Sequence, residues 1–160
     1  GHTKIATIQG LPNEECTKDR LDGSQKAYRE AGITFDPALI ADGNWSASSG
    51  NQAVKDLLSK GKDFSAVFAQ NDRMAVGAIK ALRDSGFKVP EDISVIGYDD
   101  SPLSSYFDPP MTTIRQPMEA FGRIGAQILI EALHNPAFKP RIVRLTPELI
   151  TRKTCISYQA

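Results

Sequence analysis

An α/β fold, with a parallel sheet layered between helices on both faces, is predicted by three observations. Short apolar runs rich in β-branched residues alternate with stretches of helical spacing. A glycine follows three of those stretches, at Gly32, Gly61 and Gly86, where a helix would stop. The 160 residues suffice for one such domain with a real core but not comfortably for two.

Residues 4–10 (KIATIQG) make the first strand, closed by a glycine. A helix follows over 17–30, where Gly23, Ala27 and Ala31 recur beside Leu21 and Tyr28 as a face able to approach a sheet closely. Residues 38–41 are a brief strand. The next helix, 46–59, has a serine-rich start suited to N-capping and carries Ala47, Gly50, Val54, Leu57 and Leu58 at helical spacing. Strand 65–69 (SAVFA), helix 72–84 with Ala75, Ala78, Ile79 and Leu82 inward, and strand 93–97 (ISVIG) continue the alternation. Such sheets bind ligands beyond the carboxyl ends of their strands. That rule directs attention to 9–16, 43–46, 70–73 and 98–105.

After a proline turn at 108–110 and a strand at 112–116, the helix over 118–133 departs from the pattern. Glu119, Arg123, Gln127 and Glu131 form one narrow polar stripe, and Phe121, Ile124, Ile128, Leu129, Ile130 and Leu133 leave the rest apolar. A helix of this kind needs cover on more than one side, and the upstream sequence supplies too little. A missing part of a longer chain or a partner subunit is therefore expected. Strands at 141–145 and 149–157 complete the chain.

Composition narrows the function classes. Lys plus Arg and Asp plus Glu number 19 each, so no whole-chain field draws the protein to nucleic acid or a membrane surface. Arg141, Arg144, Arg152 and Lys153 fall in strand and loop, not on a basic helix. Cys16 and Cys155 lack partners at metal-ligand spacing and suggest a reducing cytoplasm. No apolar stretch reaches the roughly 18 residues of a membrane span, and no signal peptide opens the chain.

No set of catalytic residues is evident. His2 and His134 stand far from any nucleophile, and G-x-S-x-G, CxxC and phosphate-loop patterns are absent. Asp99 and Asp100 invite a metal or general-base reading, but Asp100 is better read as orienting the next loop and Asp99 as a partner for a ligand hydroxyl. Trp45 is core or, at a strand-to-helix junction, a flat ring facing the cleft. Of Asn71 and Asp72 one caps a helix; Asn71 offers both a donor and an acceptor, which suits a neutral polyol. Arg20, by its position alone, is a solvated surface arginine. No metal and no cofactor is expected.

Residues 64–116 closely resemble the lactose- and galactose-repressor family. In order they carry the A-x-N-D-x-x-A-x-G helix start, the V-P-x-D-I-S-V-x-G-x-D-D strand and the P-P-x-T-T-I-x-Q crossover, while the opening GHTKIA and the closing ELITRKTC are similar to the family's own. The resemblance implies a periplasmic-binding-protein-like fold of two subdomains with the effector held between them. On it, 1–116 and 147–160 correspond to the carboxyl-terminal subdomain, the second of two, and 117–146 to a returning helix and strand of an absent amino-terminal subdomain. It also implies effector contacts at Arg20, Trp45, Asn71 and Asp99, with Gln116 and Met118 at the crossover, and favours a sugar over a purine. It implies a homodimer through Met74, Ala78, Tyr106 and Phe107. Operator binding would belong to a helix-turn-helix domain absent before Gly1. The competing expectation is a periplasmic sugar receptor of a transporter, which an upstream signal peptide would mark.

Overall fold

The computed structural model describes residues 1–158. The last two positions of the 147–160 segment lie outside it. Four strands, β1 (Ile5–Gln9), β2 (Ile40–Asp42), β3 (Ala66–Ala69) and β4 (Ser94–Ile96), form a parallel sheet in the order β2-β1-β3-β4. Between them run α1 (Glu15–Glu30), α2 (Ala47–Ser59) and α3 (Asp72–Asp84). After β4 come β5 (Thr113–Arg115), α4 (Met118–His134) and β6 (Glu148–Ile150), with β5 and β6 antiparallel. Single bridges, Ile96 to Thr112 and Asp99 to Arg115, dock β5 along the β4 edge.

The period of two along each strand sorts side chains onto two unlike faces. Ala6, Ile8, Val67, Ala69 and Val95 are wholly buried toward α2 and α3. Those helices touch almost backbone to backbone, since a Cβ at Gly50 would collide with the Met74 carbonyl and one at Gly77 with the Ala47 carbonyl. Ser46 caps α2 by accepting from the Ser49 N–H at 3.2 Å, and Asn71 caps α3 by accepting from the Met74 N–H at 2.8 Å. On the other face α1 buries only Thr17 and Tyr28. An apolar groove of about 480 Å³ separates it from Ile5, Phe68 and Ile96.

Several expectations need correction. Gly23, Ala27 and Ala31 do not press on the sheet; all three are exposed, and α1 meets β1 through Tyr28, which donates its hydroxyl to the Ile5 carbonyl at 3.1 Å. Residues 38–41 begin as a 3-10 turn, Pro37–Leu39, which the Asp36 carboxylate caps through the Ala38 N–H, and the strand starts only at Ile40. Residues 141–145 form no strand, and among the described residues no strand pairs with them. The expected strand over 149–157 is confined to Glu148–Ile150; beyond it, Thr154 takes over by donating to the Val95 carbonyl at 2.6 Å and accepting from the Thr112 N–H at 2.9 Å. Met74 and Ala78, expected on a dimer surface, are fully buried in the core.

The helix α4 buries none of its residues. Leu129 and Leu133 are 61% and 74% exposed, more than half their surface facing water although both are large and apolar.

Candidate functional site

At the carboxyl ends of the parallel strands, four connections bring polar and aromatic side chains together. The β1–α1 connection leads to Arg20, one turn inside α1, and the β2–α2 connection carries Trp45. The ends of β3 and β4 carry Gln70 and Asn71, and Tyr98, Asp99 and Asp100.

Arg20 is the centre of the cluster. Its guanidinium donates to the Gln70 carbonyl, lies 3.9 Å from the centroid of the Tyr98 ring and 5.5 Å from that of Trp45, and stands 3.9 Å from Asp99 Oδ1. Cation–π contact with two rings and a single main-chain acceptor hold the head group flat while leaving further N–H donors free. Gln116 donates to Asp99 Oδ1 at 2.8 Å. Burial pushes the Asp99 carboxyl above the usual carboxylate range, an effect that Gln116 and Arg20 only partly offset.

The Trp45 indole lies directly on Gly10, where any Cβ would overlap the ring, and its Nε1 donates to Glu14 at 2.8 Å. Asn71 uses one end to cap α3 and the other to donate to the Trp45 carbonyl at 3.0 Å. It therefore orients the tryptophan as well as the helix. Trp45, Asp99 and Asp100 have φ of 67°, 115° and 52°, left-handed values for side chains that disfavour them. Each costs on the order of 1–3 kcal/mol and persists because surrounding contacts impose it.

Asp100 serves structure. It pairs with Arg115 and Arg152 at 2.7 Å each and accepts from Ser104 at 2.9 Å, tying the end of β4 to β5 and to the chain beyond β6. Burial alone would raise its carboxyl, but the hydrogen bonds from Arg152, Arg115 and Ser104 outweigh that and hold it below the usual range. Asp72, buried beneath, is raised by burial; it accepts from the Ser101 N–H at 2.6 Å and the Thr113 hydroxyl at 2.5 Å.

Arg20, Trp45, Asp99 and Gln116 thus meet at one end of the sheet, with Asn71 immediately behind. Met118, 64% exposed at the start of α4, donates its N–H to the Gln116 carbonyl at 2.9 Å. Tyr98, Gln70 and Glu14 were not singled out from the sequence. Tyr98, inside the IGYDD run at a strand end, carried a usable signal; Gln70 and Glu14 fall in the strand-end segments 70–73 and 9–16, but nothing local distinguishes them there.

Residues 1–155 match the family described as periplasmic binding protein-like domain. The HTH-type transcriptional repressor PurR of Aliivibrio fischeri is 40% identical over 159 residues, 98% of this chain and 47% of the repressor. The HTH-type transcriptional regulator CelR of Thermobifida fusca is 38% identical over 154 residues, 96% of this chain and 45% of the regulator. Among solved structures, a complex of CelR with cellobiose superposes with a TM-score of 0.91 at 38% identity, covering 96% of this chain and 47% of that one. A lac repressor dimer bound to operator also reaches 0.91, at 35% identity over 98% of this chain and 54% of that one. The chain spans about half the length of the curated relatives it matches.

Proposed function

The chain belongs to the periplasmic binding protein-like family, in the form carried by lactose-repressor-type regulators, and from that premise we propose that it senses a small neutral sugar through the Arg20 cluster. One observation carries the reading. Unused Arg20 donors sit beside the Asp99 acceptor and the faces of Tyr98 and Trp45. A sugar hydroxyl both donates and accepts, and a pyranose presents an apolar face to an aromatic ring. A phosphate would meet Asp99 and Glu14 as well as Arg20. The complex of CelR with cellobiose supports the same class.

In this reading, residues 1–116 and 147–160 are one subdomain, and 117–146 return to a second; the unburied α4 supports that division. The effector lies between the two and binds one of two arrangements more tightly, biasing how a helix-turn-helix domain elsewhere in a cytoplasmic parent protein fits its operator. No described helix is long and apolar enough to cross a membrane. Pairing of two copies uses Tyr106 and the neighbouring Leu103, which are 86% and 74% exposed, with Phe107 half-buried behind them. Light scattering on Tyr106→Glu beside Phe121→Glu separates this surface from α4.

Calorimetric titration with cellobiose, galactose, ribose, hypoxanthine and glucose 6-phosphate tests the ligand class. A neutral sugar binds, at millimolar affinity in this chain alone, and Arg20→Ala weakens it about ten-fold or more. Binding of only the purine or the phosphate would overturn the reading.

A further inference from the structure

Gln70 is wholly buried, yet every polar group it has is bonded toward the β1–α1 region. Its N–H donates to the Ile8 carbonyl at 3.0 Å, and its side-chain Oε1 accepts from the Gly10 N–H at 3.0 Å. Its Nε2 donates to the Thr17 carbonyl at 3.1 Å, and its own carbonyl accepts from Arg20. We propose that Gln70 is the positioning residue of this site, setting from beneath the two surfaces a ligand meets, the Arg20 guanidinium and the Gly10 bed on which Trp45 lies. The inference rests on the functional reading above only for what the ligand is.

The physical reason is an asymmetry of burial. Gly10 N–H and Thr17 C=O bracket the connection between β1 and the first turn of α1, a stretch whose helix start has no side-chain cap. A buried amide that satisfies both ends of such a loop fixes its path, because moving either end would strand a polar group in a dry interior. Gly10 is where the indole rests and Arg20 is one turn past Thr17. Displacing the loop therefore moves both ring and cation while leaving the α2–α3 core untouched.

Trp45 is the sole tryptophan, so its fluorescence reports the bed directly and without ligand. Gln70→Met and Gln70→Leu keep approximate volume and the main-chain carbonyl but lose both side-chain bonds. Each is expected to shift Trp45 emission to the red and raise its acrylamide quenching constant about two-fold, with helical circular dichroism retained. Val54→Ala, a core change away from the loop, controls for lost stability. Parental quenching in both Gln70 variants, or an equal rise in Val54→Ala, would overturn the proposal. If neither variant folds, exchange of the Gly10 amide in the unaltered chain decides: protection like that of Ile8 upholds it, exchange like that of the exposed Asn13 amide overturns it. Should cellobiose bind, Gln70→Met weakens it about ten-fold. A chain that shows the fluorescence change but binds none of the titrated sugars retains this inference and loses the sugar assignment.

Discussion

The helices α3 and α4 both present apolar surface that calls for cover, and they meet opposite fates. In α3, eight of 13 residues are buried against α2 and the sheet; in α4, none of 17 is. The difference is one of partners. An apolar stripe states that a helix is to be covered, and only the presence of a complementary face determines whether it is. Gly77 in α3 sits against the Ala47 carbonyl, whereas a Cβ at Gly125 in α4 would meet nothing within 4 Å.

That contrast can be broken most directly at Met74, wholly buried between α3 and α2. Met74→Ala should cost about 3 kcal/mol in urea unfolding, while Leu129→Ala in α4 should change stability by less than about 0.5 kcal/mol in this chain. Equal losses would show that α4 is packed after all.

The Asp100 clamp joins the two regions, since Arg115 and Arg152 anchor the segments that flank α4. Asp100→Ala should cost about 2 kcal/mol, below the usual loss for a broken buried pair because Arg115 is half exposed. The pH dependence has a definite sign. Asp100, lowered by folding, contributes stability that is present above its unfolded value near 3.9 and lost as pH falls through the folded value. Asp72, raised by burial, acts oppositely: its contribution is present below the unfolded value and lost as pH rises through the folded one. The acid-side decline of the urea midpoint should therefore become shallower in Asp100→Ala, with Asp84 and Glu131, also lowered by their partners, supplying the remainder; an unchanged profile would remove Asp100 from the account.

A pair of glycine substitutions sharpens the comparison by sign. Gly77→Ala should destabilise by about 2 kcal/mol through collision with backbone, and Gly125→Ala should stabilise by up to about 1 kcal/mol through helix propensity alone. Thermal melts of the pair measure both; destabilisation at Gly125 would mean that α4 has a neighbour at that point.

Much of this was legible in the linear chain because it is local. Strand and helix alternation, the glycine stops, the Ser46 cap and the α3 bounds all follow from residue spacing and short-range hydrogen bonding, and the loops at strand ends were identified by a rule of parallel sheets. Arg20 is the instructive exception. Its position alone favours a surface arginine, and the family resemblance marked it as a ligand contact; neither could supply the geometry, because Tyr98 and Gln70, which hold it, come from strands far along the chain.

What sequence by itself determined was the order of elements through β4, the inward faces of α2 and α3 and the family pattern of its motifs. Tertiary structure alone decided that Gln70 lies beneath the Arg20 cluster, that Met74 and Ala78 are core, and that among the described residues 141–145 finds no strand to join. The reason is the same in each case: pairing, burial and hydrogen-bond satisfaction are properties of neighbours distant in sequence, and spacing along one chain does not encode who those neighbours are.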